Sequence, residues 1–589
     1  MGIERKVYGV GLVCFCALTL CASVSFAQDG EVSSDDVEAT TPESEGTLSG
    51  TEDQGSELSG DEVVVDDPTS VVDEPEVAPV KVSPKEASPV ITQEPDVPPQ
   101  PVSEEENLGQ REVEPSEDVD DSSAVTRPGW GKVESQFTFG SYGRVRGATD
   151  FRGGRPEQVN VVSHGSRVDE YNYAELEFQQ LFVRRSDEDS QRKAYAQVVS
   201  TLALGDNLFH YTGSFDQSIA LRNLYADMGY KTNGLTLGFW GGSRMYRGDD
   251  IYLLDFWPLD NLNTVGGGGY ASYDWTGVGR SEVKIHGGSS RLDDPFQLQV
   301  VQVPGFEFGT QDVVYLNRQR IISSARIQQD VWLSVREDGS PKAGVKLVAY
   351  AEDHKLPEGL RRESDGIGEE RVPAEKGRKL GAELGVWKGE GFFKGSFANM
   401  FYVQANDLAA YGEFGVPTGV NLNETSEGAR SRMFALSADI ETPYAGLLVG
   451  SYYKYFQDAD RDSEDFDDYW EAIAAARMHV YVTDMIHPGV EYSYQLRRPA
   501  GPSGVTDQYE VPVVSKFSVM QSFRLQKGMY NRPEVRILYT RSNLNASAVR
   551  LLPGEDPRLD YQDSNGALTS HYLGVMVEWW FNNASLFRP

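Results

Sequence analysis

Past its first 27 residues the chain has no cysteine, since Cys14, Cys16 and Cys21 are the only three. A disulfide framework, a thiolate nucleophile and a cysteine-bound metal are excluded from everything that follows. The same portion has no apolar run near the roughly 20 residues that a membrane-crossing helix requires. It is poor in positive charge: the formal net charge is −36, which argues against a nucleic-acid partner. Residues 28–128 also lack Phe, Tyr and Trp, yet hold about a dozen prolines and about 29 acidic residues against four basic ones. So little apolar surface cannot offset chain entropy, so this segment is expected to be disordered, and it has no heptads that would make it a coiled coil.

Three parts are therefore expected. The start carries Arg5 and Lys6, then an apolar run from Val10 to Val24 and the small-residue exit Ser25-Phe26-Ala27. That is the layout of a secretory signal peptide, residues 1–27. Cys21 would suit a lipidated signal, but Ala27 is the better exit. Residues 28–128 read as an acidic, Pro-rich periplasmic spacer, free to meet a periplasmic partner. Residues 129–589 hold nearly all the aromatics and form the folded domain.

In that domain the apolar pattern has period two. Phe137, Phe139 and Val145 fall on one face and Tyr142, Arg144 and Arg146 on the other. Val535, Ile537 and Tyr539 oppose Glu534, Arg536 and Thr540. Near the end, Leu573, Val575, Val577, Trp579 and Phe581 oppose Gly574, Met576, Glu578 and Trp580. Period two means strands. A charged second face would be out of place in the packed core of a sandwich, whereas it suits a water-filled lumen with lipid on the other side. Long polar stretches, such as Glu352 to Arg378 and Arg497 to Gln508, alternate with tight links, as outer loops and periplasmic turns do. The expected fold is all-β: a transmembrane antiparallel β-barrel of about 18 strands in the bacterial outer membrane, with lipid around it.

Chemistry beyond passage finds little support. His164, His210, His286, His354, His479, His487 and His571 show no metal-ligand spacing. Asp458, Asp460 and Asp462 begin like a calcium loop, but Ser463 and Tyr469 stand where Gly and Glu are needed. The run Gly266 to Gly269 lacks the helix and Lys-Ser/Thr pair of a phosphate cradle, and is expected to let a returning loop turn tightly. No Gly-x-Ser-x-Gly elbow marks a serine hydrolase. No metal, cofactor or catalytic residue is expected, and an enzyme such as a barrel lipase is the least favoured class.

Five segments in order resemble the maltoporin family: Tyr142-Gly-Arg144, Tyr173-Ala-Glu175, Trp240 to Tyr246 leading to Asp250 through Phe256, Asn531 to Arg536, and Gly574 to Phe581. The resemblance implies an 18-stranded barrel, a homotrimer, and a third loop folded inward as a constriction. It also implies an aromatic slide along which sugar rings pass, flanked by charged groups that exchange hydrogen bonds with sugar hydroxyls. On that basis Tyr142, Tyr173 and Trp580 match rungs of the slide. Trp470 is a fourth, with Tyr469 competing for the place. Phe215 sits near where a neighbouring subunit would latch an aromatic, and Leu380 falls where a further rung is expected. Arg144, Glu175 and Arg222 match the polar wall, and Asp250 and Asp255 the constriction. Here the sequence departs from the family pattern, with Gly248 in place of an arginine beside Arg247, Tyr252 for a histidine and Trp257 for a tyrosine. The implied substrate is an oligosaccharide, maltodextrin-like or other. A nonspecific diffusion porin and an outer-membrane tether acting through its acidic segment are the alternatives.

Overall fold

The structure, a computed structural model, describes residues 130–582 apart from 187–190, 206–218, 306–308, 363–367, 461, 463–464 and 505. The expected signal peptide, the acidic segment and Phe215 lie outside the described residues.

The strands in chain order are β1 (Trp130–Thr149), β2 (Tyr173–Ser186), β3 (Lys193–Leu204), β4 (Ala220–Thr232), β5 (Leu235–Arg247), β6 (Asn261–Trp275) and β7 (Gly279–Ser290), then a side hairpin of β8 (Leu298–Pro304) and β9 (Thr310–Asn317). They continue with β10 (Arg320–Val335), β11 (Pro341–Leu356), a second side hairpin of β12 (Gly359–Arg362) and β13 (Glu369–Val372), β14 (Glu375–Lys388) and β15 (Phe397–Asp407). Last come β16 (Arg430–Glu441), β17 (Ala445–Gln457), β18 (Tyr469–Val480), β19 (Ile486–Pro499), β20 (Val513–Phe523), β21 (Glu534–Leu544) and β22 (Leu568–Phe581).

Apart from the two side hairpins, each strand pairs antiparallel with its neighbours, and β1 pairs with β22 from Ser141↔Phe581 to Thr149↔Leu573. An 18-stranded sheet thereby closes on itself, leaving no edge whose backbone groups lipid would strand unpaired. The nine links at one end run from 11 residues (458–468) to 29 (291–319), and those at the other from two (233–234) to ten (524–533). The shortest is Asn233-Gly234, with φ of 41° and 81°, the left-handed pair that matches hairpin twist.

Side-chain alternation decides which face meets lipid. Phe137 is 61% exposed, and Val535, Ile537, Leu573 and Val575 also point outward, while Glu534, Arg536, Met576 and Glu578 are buried inside. Apolar area turned outward here lies in hydrocarbon rather than water, and the polar groups find partners in the lumen.

Among the described residues two long loops fold deep into the lumen, and the loop of residues 408–429 reaches it with Phe414. The third, residues 248–260, carries Ile251, Leu253, Leu254 and Leu259, all almost fully buried, against Tyr350, Phe401, Val403, Leu448 and Ile473 on the far wall. Burying each of these side chains contributes about 1.5–3 kcal/mol. Gly450 on β17 makes the docking possible, since a Cβ there would lie 2.9 Å from Ile251. The first loop, residues 150–172, also enters. Asn160 accepts from Gln495 at 2.8 Å, Ser166 donates to Glu491 at 2.6 Å, and Lys516 pairs with Asp169 at 2.8 Å. Its polar side chains satisfy wall groups that would otherwise be buried unpaired.

Gly266 to Gly269 lie within β6 rather than in a turn. Added side chains would strike the backbone of β7 and the Trp240 indole, so the run serves close packing between strands. The long stretch from Glu352 to Arg378 is likewise not all loop, because β11 continues to Leu356 and β12 and β13 pair inside it.

Candidate functional site

The register of three strands across the closing seam builds the site. On the lumen side Tyr142 of β1 lies opposite Trp580 of β22 and opposite Glu175 of β2, and Arg144 lies opposite Tyr173. Alternation thus sets aromatic and charged side chains in a checkerboard, with the Tyr142 and Tyr173 rings 6.0 Å apart. The inward loop closes the other side with Asp250, Tyr252, Asp255, Phe256 and Trp257. Together they bound a cavity of about 260 Å³.

Tyr142, Tyr173 and Trp580, with Arg144, Glu175, Arg222, Arg247, Asp250, Asp255 and Trp257, all line this one cavity. Two expected residues remain. Phe215 is outside the described residues, and Trp470 shares the outward face of β18 with Ala472, Ala474 and Ala476, its ring 5.8 Å from the exposed Tyr453. The expectation for Trp470 is corrected. The competing residue Tyr469 has inward parity and carries Arg497 3.6 Å above its ring, although it does not line the cavity. Leu380 also points outward, and its inward neighbour Gly381 receives Leu259 of the inward loop. No rung stands there because the loop fills the space.

Arg222 reaches the lumen through a register fault. Thr201 of β3 pairs with Asn223 and the next residue, Leu202, with Leu221. Arg222 is the extra residue of a bulge, a device that re-aims a side chain, and it lines the cavity beside the buried Asn223.

The charges are sorted. Arg144 and Arg167 share Glu170, at 2.9 and 2.8 Å, and Asp255 lies 4.0 and 3.9 Å from the same two guanidiniums. Arg144 and Arg167 also donate to the Tyr142 hydroxyl, at 2.9 and 2.6 Å. Tyr173 donates to Glu175. Arg247 lies 3.8 Å over the Trp257 ring, and Arg222 gives its Nε–H to Met245 Sδ at 3.0 Å. Burial alone would raise the Asp255 carboxyl, but Arg167, Arg144 and Arg247 together hold it below the usual carboxylate range. Asp250 has Arg167 alone against burial, and burial pushes it up to about 7.

Sequence reasoning missed His164, Arg167 and Phe414, which also line the cavity. His164 stacks on Phe256 with ring centroids 3.8 Å apart, and burial, with the positive charge of Lys454, lowers its imidazole to about 4. All three residues sit in loops, whose paths leave no period in the sequence. Tyr252 is missing from the expected set for another reason: its hydroxyl serves as a tether to Glu578 and Arg532.

The LamB porin family model matches residues 137–581, the stretch that forms the barrel and both of its inward loops. The chain belongs to the LamB porin family. Family and closed barrel together make it a porin channel of the bacterial outer membrane. No curated protein matches it. Solved structures similar to this LamB-family chain include OpdO from Pseudomonas aeruginosa, 9% identical over 76% of this chain and 97% of that one, with a TM-score of 0.33. OccK2 from the same organism, in complex with glucuronate, is 10% identical over 77% and 99%, with a TM-score of 0.32. A BenF-like porin from Pseudomonas fluorescens Pf-5 is 10% identical over 76% and 99%, also with a TM-score of 0.32.

In this LamB-family barrel the acidic loop holds Asp458, Asp460 and Asp465 with carboxylate oxygens within 4.8 Å of one another. It lies between β17 and β18 at the end of the long links and forms no part of the lumen cavity.

Proposed function

We propose that this porin carries sugars across the outer membrane by facilitated diffusion, through each barrel of a homotrimer and without catalysis. One observation carries the reading: three rings, Tyr142, Tyr173 and Trp580, face the same cavity as a row of charged side chains. A pyranose has apolar faces that stack on such rings and equatorial hydroxyls that trade water for charged partners. Weak, repeated contacts admit a solute without trapping it.

Purified protein in planar bilayers tests this. Neutral and acidic oligosaccharides added to the bath should interrupt the ion current with saturating concentration dependence. Trp580→Ala should weaken the block roughly tenfold while leaving the pore open, the loss of about one stacking contact. If no sugar of either series blocks, the barrel is a general-diffusion porin.

A further inference from the structure

The cavity divides its charge unevenly. Ion pairs gather on one pair of arginines: Glu170 bridges Arg144 and Arg167, and Asp255 sits about equally far from both, while Glu175 takes the Tyr173 hydroxyl. The other pair, Arg222 and Arg247, makes no ion pair among the described residues, Asp255 and Glu175 facing Arg247 from beyond that distance. Among the described residues, Arg247 Nε is buried without an acceptor, and the one hydrogen bond of the Arg222 guanidinium goes to a thioether sulfur. Both line the cavity, and both are held in place, Arg247 by stacking on Trp257 and Arg222 by the bulge that turns it inward.

Two neighbouring guanidiniums repel each other, and sugar hydroxyls offer them lone pairs but no charge. A planar or tetrahedral oxyanion offers both, and matches the fork of donors on each guanidinium. We infer that Arg222 and Arg247 form an oxyanion subsite, and that the preferred solutes of this pore are saccharides bearing an acidic group, a carboxylate or a phosphate ester, with the ring on Tyr173 and the acid on the arginine pair. This rests on the reading of the pore as a sugar channel and narrows its substrate class.

The full-length protein in planar bilayers, titrated with maltotriose, a galacturonate trimer, glucose 6-phosphate and glucose, decides the matter. The galacturonate trimer should block at least roughly tenfold more tightly than maltotriose, and the difference should shrink in high salt. Glucose 6-phosphate against glucose shows whether a phosphate ester serves as well as a carboxylate, and a preference in either pair supports the subsite. In the double variant Arg222→Gln/Arg247→Gln block by the galacturonate trimer should weaken far more than block by maltotriose, so that the preference disappears, and the reversal potential in a potassium chloride gradient should shift toward cation selectivity. That potential reads the lumen charge even if the variant binds no sugar. Equal block by acidic and neutral sugars overturns the inference and leaves the sugar channel standing. Block by none of the four overturns both.

Discussion

The Tyr252 hydroxyl donates a 2.7 Å hydrogen bond to the Glu578 carboxylate, joining the tip of the inward loop to the last strand. Arg532 holds the same two groups, donating to the hydroxyl and, at 2.8 Å, to the carboxylate. Tyr252→Phe keeps the ring and removes the tie, which costs the docked loop about 1.5–3 kcal/mol for one hydrogen bond to a charged acceptor. Glu578 retains Arg532 and Arg536, so the barrel should melt as before. The expected signal is added noise in single-channel current, and an unaltered trace would count against the tether.

Arg326 clamps the two feet of that loop, reaching Asp249 at 3.0 Å and Asp260 at 3.3 Å. Arg326→Met leaves a buried carboxylate unpaired at Asp260, while Asp249 keeps Lys346 at 3.0 Å. A loss of about 3–5 kcal/mol follows, read as a lower unfolding temperature and a larger open-pore current. Adding Asp260→Asn should restore much of the stability, because the stranded charge is then gone.

Asp250 gives the pore a pH dependence near neutrality. Burial raises its carboxyl to about 7, reinforced by Asp255 and Asp249 and opposed by Arg167. The group is therefore mostly anionic at pH 8 and mostly neutral at pH 6. Each barrel loses the Asp250 charge as pH falls across that window, alongside that of Glu413, which burial likewise pushes up to about 7, so cation selectivity should decline. Reversal potentials at the two pH values measure it, and Asp250→Asn should shrink the difference between them.

Trp470 faces outward beside Tyr453 and Tyr455 at the end of β18 nearest the long links, where an interfacial aromatic belt would sit. Trp470→Ala should leave sugar block and conductance unchanged and lower stability in the membrane by about 1 kcal/mol. A weakened sugar block would place its ring in the conduction path.

The contrast between Trp470 and Trp580 shows what the sequence could convey. Trp580 sits within a long, regular strand, and alternation from Leu573 onward sets its face without ambiguity. Trp470 is the second residue of its strand, after an acidic loop, where a one-residue slip exchanges the two faces. Arg222 was placed in the lumen by resemblance, although strict alternation with Asn223 and Tyr225 would turn it outward, and only the bulge reconciles the two. His164 and Arg167 were out of reach. Their loop is drawn inward by polar partners on β18, β19 and β20, more than 300 positions away in the chain.

The pairing of Tyr142 with Trp580 bears on how the protein comes into being. One ring belongs to the first strand and the other to the last, so the two meet only when the final hairpin zips the cylinder shut. Every earlier species can present arginines and acids, but it lacks the aromatic floor on which a sugar would rest. Such distant partners also make closure slow relative to hairpin formation. On the proposed function, sugar block of the current therefore doubles as an assay of completed assembly, silent for any chain whose last strand has not found its first.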